Sequence, residues 1–371
     1  MIVFYPLLCY YPSEAGGPAN TLYWLNKSIG KKGVNSFILS TKYGLPKGKI
    51  EVKELYDNYN INVDFVDNAH IDFFTTGQLR KVRLTDVVHF SSLFFAPTLF
   101  LLFYTLILGK GIIISPRGEL YPAALARKPV VKRVYLYCIK FFQKKIIFHS
   151  TNNFETGLIR EYFPLAKSIV QVPNYIDLPE KHYVTKRNQI LFLGRINPIK
   201  NIDVLIKAYA QLPDKVREKY KLVIAGEAKL EYEKDYLITL KNLTNKMNLA
   251  DVEFIGGIYK AEKEKLLAES YCTVLPSKSE NFGNVVLESL AQGTPVIVST
   301  GAPWDIIDKY EIGYWVRPTV DQLRDALDKL LNLEESAYLK LCSNSLNVAS
   351  ELFDIDQNIN VWIDIYNQSI K

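Results

Sequence analysis

From Ser279 to Glu288 the chain reads S-E-N-F-G-N-V-V-L-E, so Glu280 and Glu288 flank a Phe282-Gly283 pair. Earlier, directly after the apolar run 190–193, Gly194 to Asn201 reads G-R-I-N-P-I-K-N. A strand ending at Leu193 and a helix starting near Asp203 would leave Arg195 and Lys200 on a strand-to-helix loop. Two cations there can grip a diphosphate, each charge-assisted contact contributing roughly 1.5–3 kcal/mol. In the later segment Glu280 precedes Asn281-Phe282-Gly283, and a helix is predicted to begin near Asn284. The first amides of that helix, from Gly283 to Val285, would then favour an anion. Glu288 lies one turn on, on the same face as Asn284, within reach of a ribose beside that anion. Glu280 would lie nearer a sugar attached to it. Taken singly, each of these charges reads as a solvated surface group. Cations, a helix N-terminus and carboxylates together point to chemistry on a nucleotide-linked sugar.

Those loops must be held by strands and helices, and the pattern of the chain supplies them. A length of 371 residues suggests two domains. With 48% hydrophobic and 23% charged residues, the composition is that of a folded globular protein. Apolar runs at 2–5, 36–39, 63–66, 87–90, 112–115, 146–149 and 169–172 read as strands in the first half. Those at 190–193, 222–225, 252–255, 273–275, 296–298 and 314–316 do so in the second. Amphipathic stretches such as 201–212, 232–247, 261–269 and 285–292 fill the gaps as helices. Such alternation predicts an α/β fold of two Rossmann-like, doubly wound parallel sheets, with strand C-termini facing a central cleft. The turn-like stretch after Val172 divides the chain into a first Rossmann-like domain, 1–172, and a second, 173–352. A last helix, 353–371, is expected to pack back on the first domain.

Charge is unevenly shared between the halves. Residues 1–172 carry 21 Lys/Arg against 11 Asp/Glu, and the remainder carries 24 against 28. The densest basic stretch, 127–145, interleaves Arg127, Lys128, Lys132, Arg133, Lys140, Lys144 and Lys145 with Tyr135, Tyr137, Phe141 and Phe142. As a helix it suits an anionic membrane surface, or else a solvated face whose aromatics enter the core. No nucleic-acid-binding module accompanies it, so nucleic acid is not an expected partner. The apolar stretch 93–108 contains Pro97 and is short for a membrane span. Met1 leads straight into a strand-like run with no basic leader. Four scattered cysteines suggest neither a disulfide framework nor a zinc site. The expected location is cytoplasmic, with peripheral contact on the inner face of the cell membrane through 127–145.

On the two motifs quoted above, the chain resembles retaining glycosyltransferases of family 4 (group 1 glycosyltransferases), which have the GT-B fold. That family carries G-R-x-x-x-x-K-N after the first strand of its C-terminal half and the box E-x-F-G-x-x-x-x-E, here Glu280, Phe282, Gly283 and Glu288. The likeness continues through 222–226, 254–256, 275–277 and 291–297. It implies that Arg195 and Lys200 hold the donor diphosphate, that Glu288 holds the ribose and that Glu280 binds donor-sugar hydroxyls. It further implies a base pocket from Gly256 to Tyr259, contacts from Asn281, Phe282, Gly283 and Asn284 with the nucleotide-sugar, and a first domain that binds acceptor beside a second that binds the nucleotide-sugar. Gly16-Gly17 resembles the family's N-terminal glycine loop. In Ser115-Pro116-Arg117-Gly118-Glu119, Arg117 stands where many relatives have a histidine. An arginine cannot serve as a general base, so its part in catalysis would be electrostatic, towards phosphate or acceptor. His89, at a strand end, reads as structural, and Ser150 or Thr151 could touch acceptor.

The resemblance implies front-face transfer with retention from a UDP-sugar or GDP-sugar, and the basic first half, with no membrane span, points to a lipid-linked or polysaccharide acceptor. No D-x-D pair lies near a strand end, so neither a metal nor another cofactor is expected. A nucleotide-sugar epimerase, a sugar phosphorylase of the same fold and a non-catalytic membrane-surface scaffold remain open. A dehydrogenase is disfavoured, because no G-x-G-x-x-G follows a predicted strand.

Overall fold

Every apolar run read as a strand forms one, because strands of a parallel sheet covered on both faces bury consecutive side chains rather than alternate ones. In the computed structural model, which describes residues 1–14, 17–46, 57–180 and 184–371, the strands fall into two sheets. Two compact units result: Met1–Asp177 with Ile355–Lys371, and Leu178–Asp354.

The first unit holds β1 (Ile2–Leu7), β2 (Asn35–Thr41), β3 (Ile61–Val66), β4 (Val87–Phe90), β5 (Gly111–Ile114), β6 (Ile147–Ser150) and β7 (Ser168–Gln171). They lie parallel in the order β3-β2-β1-β4-β5-β6-β7. Its helices are α1 (Gly17–Lys31), α2 (Thr76–Leu84), α3 (Thr98–Ile107), α4 (Pro122–Leu125), α5 (Pro129–Phe142) and α6 (Asn153–Tyr162). The second unit holds β8 (Gln189–Leu193), β9 (Lys221–Ala225), β10 (Val252–Gly256), β11 (Cys272–Leu275), β12 (Val296–Ser299) and β13 (Gly313–Val316), in the order β10-β9-β8-β11-β12-β13. Around it lie α7 (Ile202–Ala210), α8 (Asp214–Lys219), α9 (Glu231–Lys246), α10 (Lys260–Glu269), α11 (Asn284–Ala291), α12 (Ile306–Tyr310), α13 (Val320–Leu331) and α14 (Glu335–Phe353). The last helix, α15 (Ile355–Ile370), belongs to the first unit.

In each sheet the strand order reverses beside the first strand, between β1 and β4 and between β8 and β11. Loops at the C-terminal ends of such neighbours diverge to opposite faces and leave a crevice for a ligand. In β8, Ile190 and Phe192 enter the large core with α7 and α13, while Leu191 and Leu193 enter a smaller one with Leu267 of α10. Full burial of such side chains contributes roughly 1.5–3 kcal/mol each.

The first unit extends to Asp177 rather than Val172, because Tyr175 and Ile176 are buried in it and Ile176 O accepts from Ile355 N. Helix α15 packs on α1, β4 and β5 and buries Ile359, Trp362, Ile365 and Tyr366. Beneath it runs a chain of buried hydrogen bonds whose direction one carbonyl fixes. His149 Nε2 donates to Val172 O (2.9 Å), so His149 Nδ1 accepts from Ser115 Oγ (2.8 Å). Ser115 Oγ accepts in turn from His89 Nε2 (2.8 Å), His89 Nδ1 from Tyr366 Oη (3.1 Å), and Tyr366 Oη from Tyr5 Oη (2.8 Å). Both histidines are neutral in this arrangement. Burial, reinforced by Arg117, pushes His89 well below its ordinary value and His149 down to about 3. His89 is thus a core residue.

The basic segment 127–145 is less regular than its composition suggests. Lys128 takes a left-handed conformation, Pro129 opens α5, and 143–145 forms a separate 3₁₀ turn. Its aromatics divide: Tyr135 and Phe142 are partly buried, whereas Tyr137 and Phe141 face solvent. No helix among the described residues is long and apolar enough to cross a membrane. All four cysteines are free thiols.

Candidate active site

The two motif loops leave the C-terminal ends of β8 and β11, the adjacent strands at the reversal point of the second sheet. The first loop is built by close backbone approach. Gly194 N donates to Ala225 O (3.0 Å) and Ile196 N to Glu227 O (3.0 Å). A Cβ on Gly226 would sit 1.8 Å from Gly194 O, so only glycine fits beside this turn. Asn197 Oδ1 accepts from Ile199 N (3.0 Å) and caps the 3₁₀ turn Pro198–Lys200. Its Nδ2 donates to Glu233 Oε1 (2.9 Å). Burial pushes Glu233 up, but bonds from Asn197 and from the Leu230 and Lys229 amides outweigh it, so its pKa is lowered, with Arg195 adding to the effect. Arg195 itself is exposed and makes no hydrogen bond or ion pair with another described residue.

The second loop is fastened from beneath. Glu280 N donates to Gly301 O (2.8 Å), and Ser299 Oγ to Ser277 O (2.5 Å). Phe282, grouped in the sequence with the ligand contacts, has its side chain buried against Trp304 and Phe353. Trp304 Nε1 also donates to Phe282 O (2.6 Å). Phe282 therefore anchors the loop and does not offer its ring to a ligand. Gly283 has φ +85°, the left-handed conformation that turns the chain into α11.

The loops are tied to each other. Lys278 N donates to Ile199 O (2.8 Å), and Lys200 Nζ pairs with Glu280 Oε1, which also accepts from Ser277 Oγ (2.7 Å). Lys200 and Glu280 keep only 16% and 13% of their side-chain surface. Glu288, on the first turns of α11, pairs with Lys263 Nζ of α10 at 2.7 Å. Lys263 sits in a K-A-E-K-E-K run that reads as an ordinary solvated helix, so nothing in the sequence marks it. Tyr259 immediately precedes α10, and Gly256 takes φ +76° at a bulge against β9. The structure thus brings Arg195, Lys200, Glu280, Gly283, Asn284 and Glu288 onto one end of one sheet, with Gly256 at the end of β10 and Tyr259 on the loop that follows it.

In the first unit Gly17 is the first residue of α1, and Gly16 lies outside the described residues. Arg117 follows β5 with φ +50°, and its Nε donates to Ser91 Oγ (2.6 Å) beyond β4. Burial lowers its pKa from the ordinary arginine value, against the opposing pull of Glu155. Glu155 clamps this loop by accepting from Gly118 N (2.6 Å) and Thr151 N (2.9 Å). Asn152, whose Oδ1 caps α6 by accepting from Glu155 N (2.9 Å), stands three residues earlier, and that N-x-x-E spacing was the available signal for Glu155. Ser150 is buried against Thr156 Oγ1 (2.6 Å). No group of three or more His, Cys, Asp or Glu among the described residues is arranged to hold a metal ion.

Residues 177–344 match the family of glycosyl transferases, group 1. The second unit is a group 1 glycosyltransferase domain. The chain is 37% identical over 147 residues to a glycosyltransferase of Methanocaldococcus jannaschii, covering 38% of this chain and 35% of that one. It is 27% identical over 197 residues to a GDP-Man:Man(3)GlcNAc(2)-PP-Dol alpha-1,2-mannosyltransferase of Dictyostelium discoideum, covering 50% and 39%. The chain therefore spans well under half the length of these curated relatives. Among solved structures it resembles Anabaena HepE in complex with UDP and glucose, with a TM-score of 0.78, 17% identity and 100% of both chains covered. Sucrose-phosphate synthase from Thermosynechococcus elongatus gives a TM-score of 0.74 at 17% identity over 98% of both chains. At such identity the likeness is one of fold, and the fold is GT-B.

Proposed function

We propose that the chain is a retaining hexosyltransferase that moves a sugar from a UDP- or GDP-linked donor to a lipid-linked or glycan acceptor. The observation that carries this reading is the pairing of Lys200 with Glu280 across the two loops beside α11. In the proposed complex Arg195, Lys200 and the N-terminus of α11 take the diphosphate. Glu288 takes the ribose, Gly256 and Tyr259 line the base, and Glu280 takes hydroxyls of the donor sugar. Asn281 and Asn284 complete the anion's surroundings. The bond from the anomeric carbon to the β-phosphate oxygen breaks, and its electron pair leaves with the nucleoside diphosphate. The acceptor oxygen bonds to the same face of that carbon, and its proton passes to the departing phosphate. Preorganised charge on a leaving group is the term expected to dominate such catalysis. Arg117 acts by charge alone, towards phosphate or acceptor, and no metal enters the reaction. The enzyme works in the cytoplasm, in peripheral contact with the inner face of the membrane through 127–145.

The relatives include a GDP-Man-dependent mannosyltransferase and the similar structures include one in complex with UDP, so both bases belong in the test. Thermal shift with UDP, GDP and their sugars identifies the donor, and labelled-sugar transfer with product stereochemistry follows. Retained configuration and activity that survives EDTA are expected. Stabilisation by no nucleoside diphosphate, or inversion, would remove the proposal.

A further inference from the structure

The first unit carries an exposed apolar face that the transfer reaction does not use. On α3, Phe100, Phe103 and Ile107 are exposed at i, i+3 and i+7, which is one stripe of the helix. On α5, Val130, Val134, Tyr137 and Phe141 are exposed at i, i+4, i+7 and i+11, again one stripe. Tyr137 and Phe141 keep 76% and 78% of their surface. The helices adjoin: the Phe103 and Phe142 rings lie 6.3 Å apart beside an apolar crevice of about 160 Å³. Large apolar side chains on a water-facing surface are ordinarily scattered, so their gathering on two neighbouring helices marks an interaction surface.

Cations flank this face. Arg133 and Lys140 are exposed along one edge of the α5 stripe. On the other side of α3, a groove of about 650 Å³ is lined by Arg80, Arg83 and Leu84 of α2 together with Tyr104 of α3. Neither arginine has a hydrogen bond or ion pair to another described residue. Between Asp86 and Glu155 the sequence holds nine Lys/Arg and one acid, Glu119, whose carboxylate is turned inward to Ser92 Oγ (2.6 Å) and Leu93 N (2.5 Å). A second copy of the face would oppose like charges. An anionic bilayer supplies both a negative surface and an apolar interior.

We propose that α2, α3 and α5 form one surface that docks on an anionic lipid bilayer. Arg80 and Arg83 seat a lipid headgroup in their groove, while Phe100, Phe103, Tyr137 and Phe141 enter the headgroup boundary. This extends the membrane contact of 127–145 to two further helices, and it does not depend on the transfer chemistry.

The test is co-sedimentation of the full chain with vesicles of phosphatidylcholine alone or mixed with phosphatidylglycerol. Binding to the mixed vesicles, weakened by salt and largely lost on phosphatidylcholine, is expected. Arg80→Ser/Arg83→Ser should weaken binding roughly tenfold to thirtyfold. Tyr137→Ser/Phe141→Ser should do so as strongly, and both variants should unfold at the wild-type temperature. Equal binding to the two vesicle types, no binding, or folded variants that bind like wild type would overturn the proposal. So would a lipid-free dimer dissolved by Tyr137→Ser/Phe141→Ser without any vesicle binding. Nucleoside diphosphate affinity, measured on the same samples, reports separately on the transferase reading: vesicle binding without nucleotide binding would sink that reading and leave the docking surface standing.

Discussion

Replacing Glu280 by glutamine should tighten nucleoside diphosphate binding while slowing sugar transfer. Glu280 neutralises Lys200 in the ligand-free protein, and both side chains are mostly buried. A phosphate that takes Lys200 Nζ must then approach the carboxylate. At an effective dielectric of about 20, two like charges about 6 Å apart repel by roughly 3 kcal/mol. Part of that relief is lost, because Lys200 is less well held without its partner. The net gain expected is roughly 1–2 kcal/mol, or about fivefold to thirtyfold in affinity. Transfer should fall by at least about tenfold, roughly 1.4 kcal/mol of transition-state stabilisation, because the amide is a poorer acceptor for the sugar hydroxyls. Calorimetric titration with UDP and GDP at low salt measures the first effect and initial-rate assays the second. Unchanged or weaker nucleotide affinity in Glu280→Gln would refute the reasoning, whatever happened to the rate.

The neutral histidines of the first unit should make it acid-labile. The unfolded chain protonates them near 6.5, whereas His149 resists to about 3 and His89 is held well below its ordinary value, so the unfolded state binds more protons below 6.5. The histidines' contribution to stability should therefore fall as pH drops from 6.5, by roughly 2 kcal/mol at pH 5 from His149 with a further loss from His89, and urea unfolding of His89→Asn should show a smaller loss than wild type. In the second unit, burial lowers Lys186 to about 8, so its own contribution to stability should rise from pH 8 towards 10.5, as the folded state sheds a proton the unfolded state keeps, against the opposite trend from buried thiols and phenols such as Cys272 and Tyr209. Lys186→Met should stabilise the unit at pH 7 by roughly 1–2 kcal/mol, an advantage over wild type that shrinks between pH 8 and 10.5, as thermal unfolding of the two proteins side by side would show. Gly226→Ala, whose Cβ would meet Gly194 O at 1.8 Å, should cost roughly 2–4 kcal/mol of stability and displace the Arg195–Lys200 loop, weakening nucleotide binding in titrations.

The strands were legible in the sequence because continuous apolar runs are what a sheet covered on both faces requires, as β8 and β11 show with every residue buried. The motif loops were legible because Gly194 and Gly283 sit where strands stop and helices start. Ligand-free partners were not. Lys263 meets Glu288 only because α10 and α11 pack together, and a lysine on a charged helix gives no sign of its opposite number. Phe282 read as part of a binding box, yet its burial depends on Trp304 and Phe353, residues far away in the chain. The end of the first unit was placed five residues early for a similar reason. Val172 and Pro173 resemble a hinge, but Ile176 is held by Ile355, 179 positions later.

A nucleoside diphosphate soaked into crystals of the chain tests the site most directly. The β-phosphate is expected within hydrogen-bonding distance of Lys200 Nζ and the Arg195 guanidinium, against the first amides of α11. Well-defined phosphates bound away from the loops that follow β8 and β11 would contradict it.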